Sequence, residues 1–222
     1  MVEQVASRRA SGELHFRNPK LEDFIVSNLV SRSRGMYGPE HLSTLFRLTL
    51  YRLLWVSFQL DDLCEATSDA EIKRTIENLP EGLNKTYERI LEKMRKTSSN
   101  TIRLAQRIFK WVSCARRPLL FSELKEAIAF GAGDECWDGD KVPTNPDGPR
   151  LIQSCGNLII VDGQETVRLA HHTVRQFLLS DPADTFVDRF RFTVKEANIE
   201  LRIVCVIYLN FSDFEVHVVT AS

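Results

Sequence analysis

The chain has 222 residues, of which 43% are hydrophobic and 27% charged, a composition typical of a globular protein and not of a disordered one. Its formal net charge of -1 gives no electrostatic reason for binding nucleic acid or an anionic membrane. The sequence begins without a signal-peptide pattern, and its longest apolar run, Ile203–Leu209, is far too short to cross a bilayer. We therefore expect a cytoplasmic protein that does not associate with a membrane.

Five cysteines lie far apart along the sequence, and no two of them form a C-x-x-C pair. An odd and scattered set of this kind is a poor disulfide framework and a poor zinc site. We expect reduced thiols, several of them packed in the core as small hydrophobic side chains, and no metal centre. The five are Cys64, Cys114, Cys136, Cys155 and Cys205.

Apolar residues recur at helical spacing through most of the first part of the chain. They predict helices at residues 17–34 and 53–66, the second with few polar positions and therefore largely buried. A third helix begins at a capping box, in which the Ser68 hydroxyl accepts the N3 amide while the Glu71 carboxylate reaches back. Pro80 ends that helix.

Helical patterns continue into the middle of the chain. The clearest amphipathic pattern covers residues 83–94, and another follows at 102–112. Ser122 is predicted as the N-cap of a further helix. Residues 131–149 hold four of the ten glycines and three of the eight prolines, which indicates a loop, and a short helix follows at 151–155.

A β-hairpin and a pair of histidines come next. Residues 158–161 and 166–169 read as two strands joined by a four-residue turn. The second strand leads at His171 into a short amphipathic helix that runs to Ser180. A strand that delivers a histidine to the start of a helix is a place where an anion can be held. Residues 194–209 return to helix.

Six short strings of this sequence resemble the motifs of one family. Residues 79–91 are similar to its LPxxLxxTYExIL signature, and residues 169–178 resemble its apolar-x-His-x-Ser/Thr-apolar-x-x-Phe/Tyr-Leu pattern. The strings FLWVxxQLD, RPLxxxEL, CGxL and YLNF are matched at 53–61, 117–124, 155–158 and 208–211. In this order and spacing they resemble fungal NACHT-type signalling NTPases (STAND or NLR-like proteins), which often carry ankyrin or WD repeats. The resemblance covers the end of the NACHT helical part and the GPI inositol-deacylase-type winged-helix domain.

The resemblance and the order of the predicted elements imply a mainly α fold with one small β-hairpin, in which a helical domain is followed by a winged-helix domain. Residues 1–80 are expected to be the C-terminal helical part of a NACHT module, and residues 81–180 the winged helix. Residues 181–222 are expected to start a following helical region that is truncated. Residues 37–52 have no counterpart in the family and are either a natural insertion or a retained intron, which genomic and transcript sequencing distinguishes.

The sequence has no phosphate-binding loop, no dinucleotide-binding glycine motif and no nucleophile elbow. We therefore expect no enzymatic activity, no catalytic residue and no cofactor in this chain, with ADP or ATP bound only by a complete NACHT module. The resemblance implies a regulatory interaction module whose partners, in cis or in trans, are a NACHT nucleotide-binding domain and a C-terminal repeat domain. A stand-alone adaptor and a degenerate or mis-spliced gene fragment are alternatives. Apolar faces expected to be exposed on the helices at 53–66 and 194–209 argue against a chain that acts alone.

His171 is the residue with a predicted ligand role. It matches the family position whose histidine, in related NACHT proteins, reaches the ADP phosphate and holds the inactive state. The alternative is a histidine that fills the strand-to-helix turn and bonds a backbone carbonyl. Its neighbour His172 is expected to be exposed.

Winged helices often bind DNA, which gives an alternative function. Arg168 of the hairpin and five earlier basic residues could form a basic stripe, but acidic residues interleave with them. Salt-dependent nucleic-acid binding needs clustered phosphate contacts, so nucleic acid is not an expected partner. The five are Arg103, Arg107, Lys110, Arg116 and Arg117.

Overall fold

A computed structural model of the chain describes residues 2–34, 45–131, 133–144 and 148–211. The chain divides into two compact units, Met1–Arg89 and Ile90–Ser222. The helices are α1 (Val2–Ala10), α2 (Lys20–Arg34), α3 (Leu45–Cys64), α4 (Asp69–Glu77), α5 (Leu83–Lys93), α6 (Ser99–Cys114), α7 (Phe121–Ala129), α8 (Gly148–Ser154), α9 (His172–Leu178) and α10 (Val194–Leu209). The strands are β1 (Leu119–Leu120), β2 (Ile159–Val161) and β3 (Thr166–Leu169). The predicted mainly α fold with a small hairpin is confirmed.

The first unit is a helical assembly in which α3 supplies much of the core. Its apolar side chains from Trp55 to Leu63 are mostly buried, as the low number of polar positions predicts. The exposed apolar face also expected on this helix is therefore wrong for most of its length, because these side chains pack inside the first unit and Leu53 is the exposed one. The indole Nε1 of Trp55 donates to the backbone carbonyl of Pro80 at 3.1 Å, so the segment after α4 is fastened to α3. An ion pair at 2.5 Å between Arg8 and Asp61 fastens α1 to the same helix.

α3 begins at Leu45, earlier than the predicted start at residue 53. Residues 45–52 of the segment that has no family counterpart therefore continue this helix. The remainder of that segment, residues 37–44, lies outside the described residues. Whether residues 37–52 are an insertion or a retained intron stays a question for transcript sequencing.

The predicted capping box at α4 forms with one difference. The Ser68 hydroxyl accepts the amide of Glu71 at 3.3 Å, as expected. The Glu71 carboxylate, however, accepts the amide of Thr67 at 2.8 Å, one residue before the expected donor. The helix ends at Glu77, where the Asn78 amide donates to the carbonyls of the last turn.

The second unit holds a three-stranded antiparallel sheet in the order β1-β3-β2. The predicted hairpin is confirmed, with Val161 opposite Val167 and Ile159 opposite Leu169. Its turn is held by the Asp162 carboxylate, which accepts the backbone amides of Gln164 in the turn and of Thr166 at the start of β3, at 3.0 Å each. The third strand, β1, pairs with β3 through Leu119 and Leu120 and was not predicted, because two residues carry no alternation pattern.

The prediction of Ser122 as the N-cap of α7 is wrong, because the helix already begins at Phe121. The cap position is Leu120, the last residue of β1, whose amide donates to the Glu123 carboxylate at 2.9 Å. Arg117 contacts the same carboxylate through two nitrogens at 2.8 and 2.7 Å. Hydrogen bonds from Arg117 and from the Leu120 amide lower the pKa of Glu123 to about 2. The Glu123 carboxylate at N3 thus satisfies the backbone amide of the cap residue, which is one half of a capping box.

The turn from α8 into β2 explains the Cys155–Leu158 string. Gly156 and Asn157 both have left-handed backbone, with φ of 61° and 59°. A Cβ added to Gly156 would stand 2.3 Å from Cγ2 of Ile90, so only glycine fits this turn. Cys155 beside it is fully buried, which raises the pKa of its thiol to about 12.

α10 belongs to the same compact unit as the sheet. Lys110 of α6 pairs with Glu200, and the Tyr208 hydroxyl donates to Glu126 of α7 at 2.5 Å. Beyond the helix, the Phe211 ring meets Phe130 with centroids 5.2 Å apart. These contacts hold the middle of α10 against α6 and its C-terminal end against α7 and Phe130.

Candidate functional site

His171 occupies the N-cap position of α9, where its backbone is still extended from β3. Its Nδ1 accepts the backbone amide of Thr173 at 3.3 Å and lies 2.8 Å from the hydroxyl of the same residue. His171 thus fills the strand-to-helix turn, as the alternative to a ligand role expected, but its partners are the amide and hydroxyl of Thr173 and not a backbone carbonyl. An imidazole here does what a serine or aspartate side chain commonly does at this position.

The cap hydrogen bond fixes the tautomer of the His171 ring. Because Nδ1 accepts the Thr173 amide, the proton of the neutral ring sits on Nε2. Burial and the nearby His172 ring, 4.0 Å away between centroids, lower the pKa of His171. At neutral pH the residue therefore presents an uncharged N–H donor. His172 is exposed, as predicted.

Cationic and imidazole groups surround this donor in a cleft of about 260 Å³ formed by the α6–β1 connection, β3 and the start of α9. No carboxylate lines the cleft, within the part of the chain that the structure describes. Its potential therefore favours an anion. The nitrogen-bearing side chains on its wall are Arg116, Arg117, Arg168, His171, His172 and Arg175.

The four arginines differ in what holds them. Arg117 is tied to Glu123, and Arg168 lies 3.1 Å from the Asp162 carboxylate. Arg175 donates from Nε to the Ser113 carbonyl at 3.0 Å, in the last turn of α6. Arg116 is exposed and makes no hydrogen bond or ion pair to any described residue. It is the cation most available to an incoming anion.

The Arg175 contact also ties the cleft to the rest of the unit. It joins the helix that carries His171 to the C-terminal end of α6, where cationic donors are favourable. α6 in turn holds α10 through Lys110 and Glu200. The position of His171 is therefore connected to α10 through a short series of direct contacts.

The order of elements from α5 to α9, with a three-stranded sheet closed by the hairpin, is the arrangement of a winged helix. Residues 91–189 match the family described as "GPI inositol-deacylase, winged helix domain". This region is a winged-helix domain of that type. The His171 cleft lies wholly inside it. Neither the curated proteins nor the solved structures contain a match to the chain.

The basic stripe considered for DNA binding is largely engaged within the winged-helix unit. Arg107 donates to the Phe130 carbonyl, and burial lowers its pKa. Arg103 contacts Asn100, while Lys110 and Arg117 are held in ion pairs. Cations committed to internal acceptors are poorer ligands for phosphate than free ones, so this pairing weakens the case for duplex binding.

Other parts of the described chain offer less chemistry. A cleft of about 690 Å³ in the first unit is lined by Arg9, Phe16 and Asp69 among others. The Asp69 carboxylate already accepts the backbone amides of Arg17 and Asn18, both at 3.0 Å, so it is not available to a ligand. No cluster of three or more histidine, cysteine or acidic side chains is placed to hold a metal among the residues described. None of the described helices is long and apolar enough to span a bilayer.

Sequence reasoning singled out His171 as the ligand residue, whereas Arg116, Arg117 and Arg168 entered only as members of a possible DNA-binding stripe. Arg175 carried a usable signal, because it stands four residues after His171 and so shares a helix face with it. No pattern in the sequence indicated that Arg116 lies near His171, because it reaches the cleft only through the pairing of β1 with β3.

Proposed function

We propose that this chain is a non-catalytic regulatory module of a NACHT-type signalling NTPase. In this role the winged helix packs on a nucleotide-binding domain and relays its ADP or ATP state to C-terminal repeats. The observation that carries the proposal is the neutral His171 donor in a cleft that also holds Arg116, an arginine with no acceptor among the described residues. The six family motifs, read together with this cleft, supply the NACHT context.

The cleft is suited to contact a phosphate held by another domain. An imidazole fixed with its proton on Nε2 donates one directed hydrogen bond to a phosphate oxygen. Arg116 adds a charge-assisted contact, and Arg168 stands close by.

Within this function, the chain senses the phosphate of the nucleotide and transmits the signal to the rest of the winged-helix unit. The cap on α9 holds His171 in place, and the Arg175 contact passes any movement of α9 to α6. Phosphate positioning and metal binding are left to the nucleotide-binding domain, so the chain itself needs no catalytic group.

The test uses the full chain and a purified NACHT nucleotide-binding domain from the family that the motifs resemble. That domain is loaded with ADP or with a non-hydrolysable ATP analogue, and capture by the chain is measured by biolayer interferometry. We expect the ADP form to bind at least about fivefold tighter, the lower end of typical allosteric coupling. His171→Ala should abolish the difference, and His15→Ala, at an exposed histidine that does not line the cleft, serves as the control that keeps it.

Two results would count against the proposal. One is capture of neither form by the wild-type chain, and the other is an unchanged ADP preference in His171→Ala. Salt-sensitive duplex binding in a mobility shift would instead support the DNA-binding alternative.

A further inference from the structure

α10 presents an apolar stripe to solvent along one side. Ile199, Ile203 and Val206 are 49%, 47% and 57% exposed, and Leu209 at the end of the helix is 76% exposed. The first three follow the i, i+4, i+7 spacing of a single helix face. An exposed stripe of this regularity is typical of an interaction surface.

The stripe cannot be buried by turning α10 over, because the opposite face is fixed within the second unit. Ala197 and Leu201 are buried there. The contacts to Lys110 and Glu126 hold the helix at two further points. The apolar residues therefore remain outward in the folded unit.

Charge along the two edges of the stripe is unequal. At about 100° of rotation per residue, Lys195 and Arg202 fall on one edge. Both are exposed and make no hydrogen bond or ion pair to any described residue. On the other edge, Glu196 caps the helix at Thr193 and Glu200 pairs with Lys110. The edges thus offer two uncommitted cations, and both carboxylates are already engaged.

We propose that α10 docks an amphipathic helix of a partner protein, whose apolar face covers the stripe and whose carboxylates line the edge beside Lys195 and Arg202. A helix presents apolar side chains at the same spacing as the stripe, so the two surfaces can interdigitate. Acidic side chains are the complement of the two uncommitted cations. This surface lies outside the His171 cleft and does not depend on nucleotide.

Two other occupants fit the surface less well. A second copy of α10 would bring the same uncommitted cations and no uncommitted carboxylate to meet them. Segments that bind an anionic membrane usually carry a cluster of about four to eight cations. They also place aromatic or leucine side chains in the headgroup region. The stripe has two cations, and its exposed apolar residues are isoleucine, valine and leucine.

The experiment uses a pair of designed, fluorescently labelled helical peptides of about 20 residues, the length that an isolated helix needs. Both carry the same apolar stripe; one has glutamates and the other lysines along its edges. Binding to the full chain is followed by fluorescence anisotropy at low and high salt. We expect the glutamate peptide to bind about fivefold tighter than the lysine peptide at low salt, with the preference shrinking as salt rises.

Substitutions test the apolar stripe and the cationic edge of the surface independently. Ile203→Ser should weaken the glutamate peptide about tenfold or more, whereas Ile160→Ser, a similarly exposed isoleucine on β2, should leave it unchanged. Arg202→Glu should reverse the preference towards the lysine peptide. Circular dichroism checks that each variant is folded.

The proposal is overturned by any of three outcomes. The first is equal binding of both peptides, or binding of neither. The second is a dimer of the wild-type chain that Ile203→Ser converts to monomer, since a second copy would then occupy the stripe. The third is sedimentation with anionic vesicles that depends on Ile203. Success or failure here leaves the ADP-dependent capture through His171 to be judged by its own assay.

Discussion

Gly156→Ala should destabilise the winged-helix unit by an amount that the structure allows us to divide into two parts. The left-handed backbone at φ 61° disfavours any Cβ, at about 1–2 kcal/mol. The new methyl would also stand 2.3 Å from Cγ2 of Ile90, a stiff β-branched side chain. Overpacking of this kind costs about 1–3 kcal/mol, so we expect a total loss of about 2–5 kcal/mol.

A double-mutant cycle with Ile90→Ala separates the two parts. In that background the steric part disappears, and Gly156→Ala should cost only the backbone part of about 1–2 kcal/mol. Urea unfolding followed by tryptophan fluorescence gives the free energies. Gly163→Ala is the control, because nothing lies within 4 Å of the added carbon and its φ is not in the left-handed range; its effect should be small. Equal costs of Gly156→Ala in both backgrounds would refute the assigned contact.

Three further predictions concern titratable groups. Burial and the nearby His172 ring lower the folded-state pKa of His171, so its contribution to stability is complete above about pH 6.5 and is lost as the pH falls through the folded value. His171→Asn, which caps without titrating, should therefore reduce the acid sensitivity of the free energy of unfolding measured in urea. Burial and the Glu126 carboxylate raise the pKa of Tyr208 to about 12, so Tyr208→Phe should remove a step near that pH from an ultraviolet phenolate titration and cost about 1 kcal/mol. A thiol-reactive dye should label exposed Cys136 in the native protein, but Cys155 only on unfolding; rapid native labelling of Cys155 would contradict its burial.

Periodicity was sufficient to predict most of the fold. Helices α5, α6 and α10 and the β2–β3 hairpin follow from repeating apolar positions, because their buried faces are regular. Periodicity does not predict β1, because a strand of two residues has no repeating pattern. It also does not predict the start of α7 at Phe121, which directly follows β1. Ser122 is a good cap by residue type, but the strand before it ends at Leu120 and Glu123 satisfies the amide there. The pairing of β1 with β3, which lies far along the sequence, determines both features.

The candidate site was only partly predictable. A histidine at a strand-to-helix junction was visible in the sequence, and so was the exposure of its neighbour. The choice of Nδ1 as the capping acceptor was not, since either ring nitrogen can play that part. Arg116 joins the cleft through strand pairing between segments far apart in sequence.

The most direct test of this account is the titration of the His171 imidazole, followed by two-dimensional proton–nitrogen NMR on the full, nitrogen-15-labelled chain, with His171→Asn to assign its signals. At about pH 7 we predict a neutral ring with the proton on Nε2, an unprotonated Nδ1 and a pKa below the ordinary histidine value of about 6.5. Adding the ADP-loaded NACHT domain should shift the Nε2 signal of His171 and leave that of the exposed His15, outside the cleft, in place. A ring that is protonated at neutral pH, a proton on Nδ1, or a His171 signal unmoved by the ADP-loaded domain would contradict the account.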